Sequence, residues 1–189
     1  MKPSGGPVTT TNSKVTIHMV SSLDGYVVKK DGGVSWLETS DSYEAGVESE
    51  DPEEFLQSID CWVIGSKTYE HALALGWPYG DKPTFVLTHR DLSSDRASVQ
   101  FRSGDLERFV NEELRPNFPS AWLCGGPTLV KEFLRLDLVD EVCHTIAPIL
   151  IGEGVPFFDQ IGVERPLHLK DVKAYTSGIV ELCYEVRRG

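Results

Sequence analysis

The sequence predicts an α/β protein of three layers, helices on both faces of a central mixed, mostly parallel sheet that ends in antiparallel strands. Three observations predict it. Through the first two thirds, short apolar runs rich in β-branched residues alternate with helix-like segments, the pattern of parallel βαβ units. In the last third, extended runs follow one another directly, and Ser177-Gly178 offers a hairpin turn between the final two. The chain has 189 residues and is 40% hydrophobic, which suits one sizeable core.

Residues 1–13, MKPSGGPVTTTNS, lack apolar periodicity and read as a disordered tail, leaving 14–189 as a single folded domain. KVTIHMV (14–20) is the first strand, Gly25 marks a turn, and YVV (26–28) resumes extended character before the DGG turn at 31–33. DPEEFLQS (51–58) should open a helix: Asp51 as cap, Pro52 at the first helical position and two glutamates in the first turn. DCWVIG (60–65) is a short buried strand, and SKTYEHAL (66–73) is the helix that follows. TFVLT (84–88) repeats the strand signal. GDLERFVNEEL (104–114) is an amphipathic helix with Leu106, Phe109, Val110 and Leu114 on its apolar face. AWLC (121–124) and TLVKEFLRL (128–136) form the next strand and helix, and 138–150, 166–176 and 178–187 read as strands.

The net charge of −11 argues against a nucleic-acid surface, which needs basic clusters to neutralise phosphates. No run reaches the ~18–20 apolar residues of a membrane span, and the N-terminus has no apolar signal core. Cys61, Cys124, Cys143 and Cys183 sit in apolar runs without CxxC or zinc-ligand spacing. They read as four reduced, buried thiols, with no metal site, which fits a cytoplasmic protein.

Three strand ends carry related chemistry, and ligands of parallel α/β sheets gather at such ends. Gly65, Ser66, Lys67 and Thr68 open a helix with free N–H groups, hydroxyls and an ammonium, donors suited to an anion. Thr88, His89 and Arg90 follow the next strand, and arginine brings the planar fork that matches phosphate. In 121-AWLCGGPTLVKEF-133 the Gly125-Gly126 pair lets backbone approach a ligand at the start of another helix. Each has a bland reading as a capped helix, a polar loop or a turn. Together they fit one elongated ligand such as a nicotinamide dinucleotide phosphate.

Four motifs, 21-SSLDGYV-27, 63-VIGSKTYE-70, 122-WLCGGPTL-129 and 138-LVDEVCHTIAPILIGEGVPFF-158, resemble the dihydrofolate reductase-like superfamily. Within it they are most similar to the C-terminal reductase domain of the bifunctional riboflavin-biosynthesis deaminase-reductase (RibD) and its stand-alone relatives. The resemblance spans about residues 14–188 and implies a dihydrofolate reductase-like fold with NADPH as cofactor. It implies hydride transfer to a small heterocyclic substrate, pterin- or pyrimidine-like. It carries Gly65, Ser66, Lys67 and Thr68 to the adenosine-phosphate and diphosphate region and Thr88, His89 and Arg90 to the 2′-phosphate. Cys124, Gly125, Gly126, Pro127, Thr128 and Leu129 fall at the diphosphate, with a cis Gly125–Gly126 bond. Two departures stand out: Ser66 replaces an arginine common in relatives, and Ser35-Trp36 stands where dihydrofolate reductases have Pro-Trp.

A reductase must also manage a proton. Asp24, in the SLDG loop, is the candidate relay or substrate anchor, its alternative being to shape the Asp-Gly turn. Trp36 is a candidate to stack on a flat substrate, or else covers the core. Glu50, in the acidic run 48–54, is a candidate substrate contact near where dihydrofolate reductases carry their acid. Gly152 and Gly154 are expected to shape the pocket wall. The resemblance further implies a homodimer built on C-terminal strands. Two alternatives stay open: the ribosylaminopyrimidine reductase of riboflavin biosynthesis, and a non-catalytic nucleotide- or pterin-binding protein on the same fold.

Overall fold

A computed structural model describes residues 13–38, 40–49 and 52–188. The expected tail (1–12), the Asp51 cap and Glu50 lie outside the described residues. Ten strands and five α-helical segments occur in the described chain. In order these are β1 (Lys14–Ser22), β2 (Tyr26–Lys29), α1 (Pro52–Gln57), β3 (Cys61–Gly65), α2 (Ser66–Ala74), β4 (Thr84–Leu87) and β5 (Val99–Arg102). Then follow α3 (Leu106–Arg108), α4 (Arg115–Asn117), β6 (Ser120–Leu123), α5 (Pro127–Arg135), β7 (Glu141–Ala147), β8 (Gly154–Pro156), β9 (Leu167–Ala174) and β10 (Val180–Val186). A 3-10 turn covers Ser35–Leu37.

Eight strands form one sheet in the order β5-β4-β3-β6-β1-β7-β10-β9. The first six are mutually parallel, and β10 pairs antiparallel with both β7 and β9. The mixed sheet with antiparallel C-terminal strands is the one expected. β2 leaves it and pairs with β8 in a separate two-stranded sheet. Neither β5 nor β8 is expected from sequence: VQFR is only four residues long, and GVP contains a proline at a strand end.

Alternation along the strands makes the layers. Val63 and Phe85 face a core with Phe109, Val130 and Phe133, while Ile64 and Val86 face a second core with Tyr69, Ala72 and Trp77. Helix α5 therefore covers one face and α2 the other. On α5, Val130, Phe133 and Leu134 recur at the i, i+3, i+4 spacing of a helical stripe, and all three are buried. Each such fully buried apolar side chain contributes about 1.5–3 kcal/mol relative to exposure.

The amphipathic segment 104–114 differs from a plain α-helix. Asp105 caps its start by accepting from the Arg108 amide, but Phe109–Leu114 is wound as a π-helix between α3 and α4. The i→i+5 winding returns Leu114 over Phe109 and Val110, so all three reach the core.

The expectation of four reduced thiols is corrected. Cys143 and Cys183 are register partners on β7 and β10, with Cα atoms 4.1 Å apart, and form a disulfide. Forty residues separate them in sequence, so only the strand register reveals that they face each other. Cys61 and Cys124 remain free, and burial pushes the Cys124 thiol up to about 12. No helix among the described residues is long and apolar enough to cross a membrane.

Candidate functional site

At the carboxyl ends of the parallel strands lies one cleft of about 1250 Å³. Its polar end is built by three strand-to-helix or strand-to-loop junctions. Helix α2 starts at Ser66 directly after β3, with Gly65 as N-cap, and α5 starts at Pro127 with Gly126 as N-cap. Neither helix has a side-chain cap; the first-turn N–H groups of α2 are left to a ligand, and on α5 the Thr128 N–H, since Pro127 has none and the Leu129 amide bonds the Gly126 carbonyl. Ser66, Lys67 and Thr68 line the cleft from α2; Gly126, Pro127, Thr128 and Leu129 line it from α5. Thr88 and His89 complete this end, and Cys124 lies beside it.

The two junctions are joined by backbone. The Gly65 amide donates to the Gly125 carbonyl at 2.9 Å, and the Cys124 amide to the Val63 carbonyl at 3.0 Å. The Gly125–Gly126 peptide bond is cis, as the resemblance implied. The two glycines have different requirements. Gly125 is buried at φ 95°, and a Cβ there would lie 2.9 Å from Met19 Sδ. Gly126 has φ −80°, and a Cβ there would meet only Thr68 Oγ1 at 3.5 Å, an ordinary contact.

Charge at this end falls on Lys67 more than on Arg90. Lys67 lines the cleft and has no ion-pair partner among the described residues. Arg90 does not line it: its guanidinium holds both Glu70 oxygens, Nη1–Oε2 at 3.1 Å and Nη2–Oε1 at 2.6 Å. That bidentate pair holds the Glu70 carboxyl below its ordinary range. Sequence reading missed a further wall, Ser103, Gly104 and Asp105, which follows the unexpected strand β5. The SGD turn signal after VQFR was its trace in the sequence.

The other end of the cleft is apolar. Val20 comes from β1, Val28 from β2, Leu37 from the 3-10 turn, Phe55 from α1 and Val155 from β8. The β2–β8 ribbon that forms one wall depends on Gly154, where a Cβ would lie 2.1 Å from the Val28 carbonyl oxygen. His18, on β1, also lines this end and was not singled out from sequence.

Asp24 and Trp36 sit apart from the cleft. Asp24 accepts from Ser22 Oγ at 2.5 Å and from the amides of Gly152 (2.7 Å) and Ile151 (3.2 Å). Those bonds, Ser22 first, hold its carboxyl below the ordinary aspartate value and fasten the SLDG loop to the IGEG loop. Its carboxylate thus ties two loops together, a contact beyond the Asp-Gly turn expected of it. Trp36 is buried and lines a smaller cavity of about 350 Å³ with Glu38, Ser40, Asp41, Pro148 and Ile149. Its neighbour Leu37 reaches the main cleft instead.

Residues 62–180 match the family described as the RibD C-terminal domain. The chain is 31% identical over 168 residues to YwjB of Bacillus subtilis strain 168, covering 88% of this chain and 94% of that one. Among solved structures, a Shewanella sp. PV-4 protein named for riboflavin biosynthesis superposes with a TM-score of 0.79 at 26% identity, over 93% of this chain and 99% of that one. Dihydrofolate reductase from Enterococcus faecalis, described as complexed with NADP(H), shares the fold with a TM-score of 0.58 at 16% identity, over 94% and 98% of the two chains.

Proposed function

The chain belongs to the RibD C-terminal domain family, and from that premise we propose that it is an NADPH-dependent reductase of a small heterocyclic substrate, pterin- or pyrimidine-like. One observation carries the reading: two helix starts without side-chain caps, Lys67 and the Thr88–His89 loop share the polar end of a single cleft whose other end is apolar. A dinucleotide phosphate has that polarity, and the NADP(H) described with the Enterococcus reductase supports it.

The residues fit such a cofactor, which when bound supplies a hydride. The first-turn amides of α2 and the Thr128 amide of α5 donate to its diphosphate, since free helical N–H groups and the helix dipole both favour an anion. Gly126 keeps that approach open because it presents no side chain to the cleft. Lys67 gives a 2′-phosphate its countercharge, and the Thr88–His89 loop offers it polar contacts. Val20, Val28 and Phe55 exclude water around a flat ring, which strengthens every polar contact made there.

Titration of the protein with NADPH, followed by its fluorescence, tests the reading. Binding below millimolar concentration, tighter than NADH, is expected; no binding of either overturns it. NADPH consumption is then assayed with pterins and pyrimidines, and binding without consumption favours a non-catalytic binder. A second reading is reduction of 5-amino-6-(5-phosphoribosylamino)uracil, the reaction in the name of a Thermotoga maritima protein that shares the fold, and turnover of that compound decides it. We further read the protein as a homodimer through the sheet edge, where Leu167, Leu169 and Val172 of β9 are about half exposed. Sedimentation equilibrium tests it.

A further inference from the structure

The apolar end of the cleft has one polar cluster on its floor. His18 Nε2 lies 3.4 Å from Glu181 Oε2 and 3.3 Å from Thr145 Oγ1, and the Thr145 hydroxyl donates to the same Glu181 oxygen at 3.2 Å. Three strands supply it: His18 from β1, Thr145 from β7 and Glu181 from β10, where Thr145 and Glu181 are register partners. The His18 and Glu181 side chains are only 14% and 19% exposed. Aromatic rings flank the imidazole, Trp122 edge-on at 4.4 Å and Phe55 at 5.5 Å. Of the three polar residues, His18 is the one that lines the cleft.

A carboxylate and an imidazole beneath an apolar pocket are expensive to desolvate, and replacing such a pair by apolar residues is often neutral for stability. A core role alone leaves the cluster unexplained. With Nε2–H donating to Glu181, the hydrogen bond orients the ring and leaves Nδ1, which has no partner among the described residues, as an acceptor. An acceptor set between aromatic walls suits a flat ring that offers N–H along one edge.

We infer that His18 is the polar contact of the substrate half of the cleft, that it selects a planar heterocycle by an N–H or amino edge, and that Glu181 and Thr145 are positioning residues that hold its ring. The inference rests on the reductase reading for the location of the substrate half. It assigns the recognition of that edge to strands β1, β7 and β10, apart from Asp24 and Trp36.

The probes are lumazine, a bicyclic heterocycle with two ring N–H groups, and 1,3-dimethyllumazine, in which both are methylated. Each is titrated into the NADP⁺-loaded protein, and NADPH binding is measured separately on every variant. Wild type should bind lumazine more tightly than the dimethyl compound by about tenfold or more, the scale of one satisfied buried hydrogen bond. His18→Phe, which keeps a ring between Trp122 and Phe55, should abolish that preference and leave NADPH affinity unchanged. Glu181→Leu should weaken lumazine binding, and Glu181→Gln, which still accepts from Nε2–H, should restore much of it. Lumazine should also shift the ¹⁵N resonance of His18 Nδ1 in the wild type, a readout that stands even if His18→Phe does not fold.

Equal binding of the two probes, an unchanged preference in His18→Phe, or an unmoved Nδ1 resonance overturns the inference. NADPH binding without lumazine binding overturns it too, while the cofactor reading stands. A His18-dependent lumazine preference in a protein that binds neither NADPH nor NADH supports the contact and sinks the reductase reading instead.

Discussion

The Gly65 amide donates to the Gly125 carbonyl at 2.9 Å, so the ends of β3 and β6 are fastened together where each strand gives way to a helix. Helices α2 and α5 therefore begin side by side at the polar end of the cleft. Any side chain added at this seam acts on two helix starts at once.

The glycine pair should separate stability from binding. Gly125→Ala places a β-carbon at a left-handed φ and against Met19 Sδ, so a loss of about 1–3 kcal/mol is expected in urea unfolding. Gly126→Val sits in an extended conformation open to side chains, and its melting temperature should stay close to wild type. Its NADPH affinity should drop about tenfold or more, because the new side chain enters the cleft. Unchanged affinity in Gly126→Val would return the Gly-Gly segment to being a turn.

Lys67 and Arg90 should behave differently despite equal charge. Lys67→Met is expected to weaken NADPH binding and to flatten its dependence on salt concentration. Arg90→Met breaks the exposed pair with Glu70 and should change affinity less, since that guanidinium is already engaged. Fluorescence titrations at low and high salt compare the two directly.

Asp24→Asn tests loop shaping against proton relay. The folded-state pKa of Asp24 is depressed, so its stabilisation is present above the ordinary value of 3.8 and is lost as pH falls through the lower folded value. The variant should unfold at lower urea than wild type at neutral pH, with the gap closing in strong acid. NADPH affinity should be retained, because Asp24 lies off the cleft lining.

His144 predicts a second pH dependence. Burial, with the nearby His18 as a smaller cause, lowers its pKa from 6.5 to about 4. Its ring bonds to Ser21 Oγ at 2.6 Å and packs on Phe157 at 4.1 Å. The unfolded chain binds this proton first, so stability is complete above pH 6.5 and declines as pH falls toward 4. The slope should approach one proton taken up on unfolding, and His144→Phe should remove it. Urea midpoints across that range are the measurement.

The sequence by itself determined the alternation of elements and the ends at which a ligand gathers. Apolar periodicity is local, so Val130, Phe133 and Leu134 mark the buried face of α5 without reference to anything else. Gly65, Thr88 and Gly126 mark the junctions that follow strands by local rules too, and those junctions build the polar end of the cleft. Pairing is not local. That Cys143 meets Cys183, that Arg90 turns to Glu70, and that Trp36 is buried beside a separate cavity depend on register and on packing between distant segments. The His18–Thr145–Glu181 cluster is the clearest case. Each residue reads in the sequence as an ordinary polar position on a strand, and His18 and Glu181 are 163 positions apart. Only the antiparallel return of β10 beside β7, next to β1, brings them onto one floor, because side-chain direction along a strand has a period of two and the choice of neighbour belongs to the whole sheet.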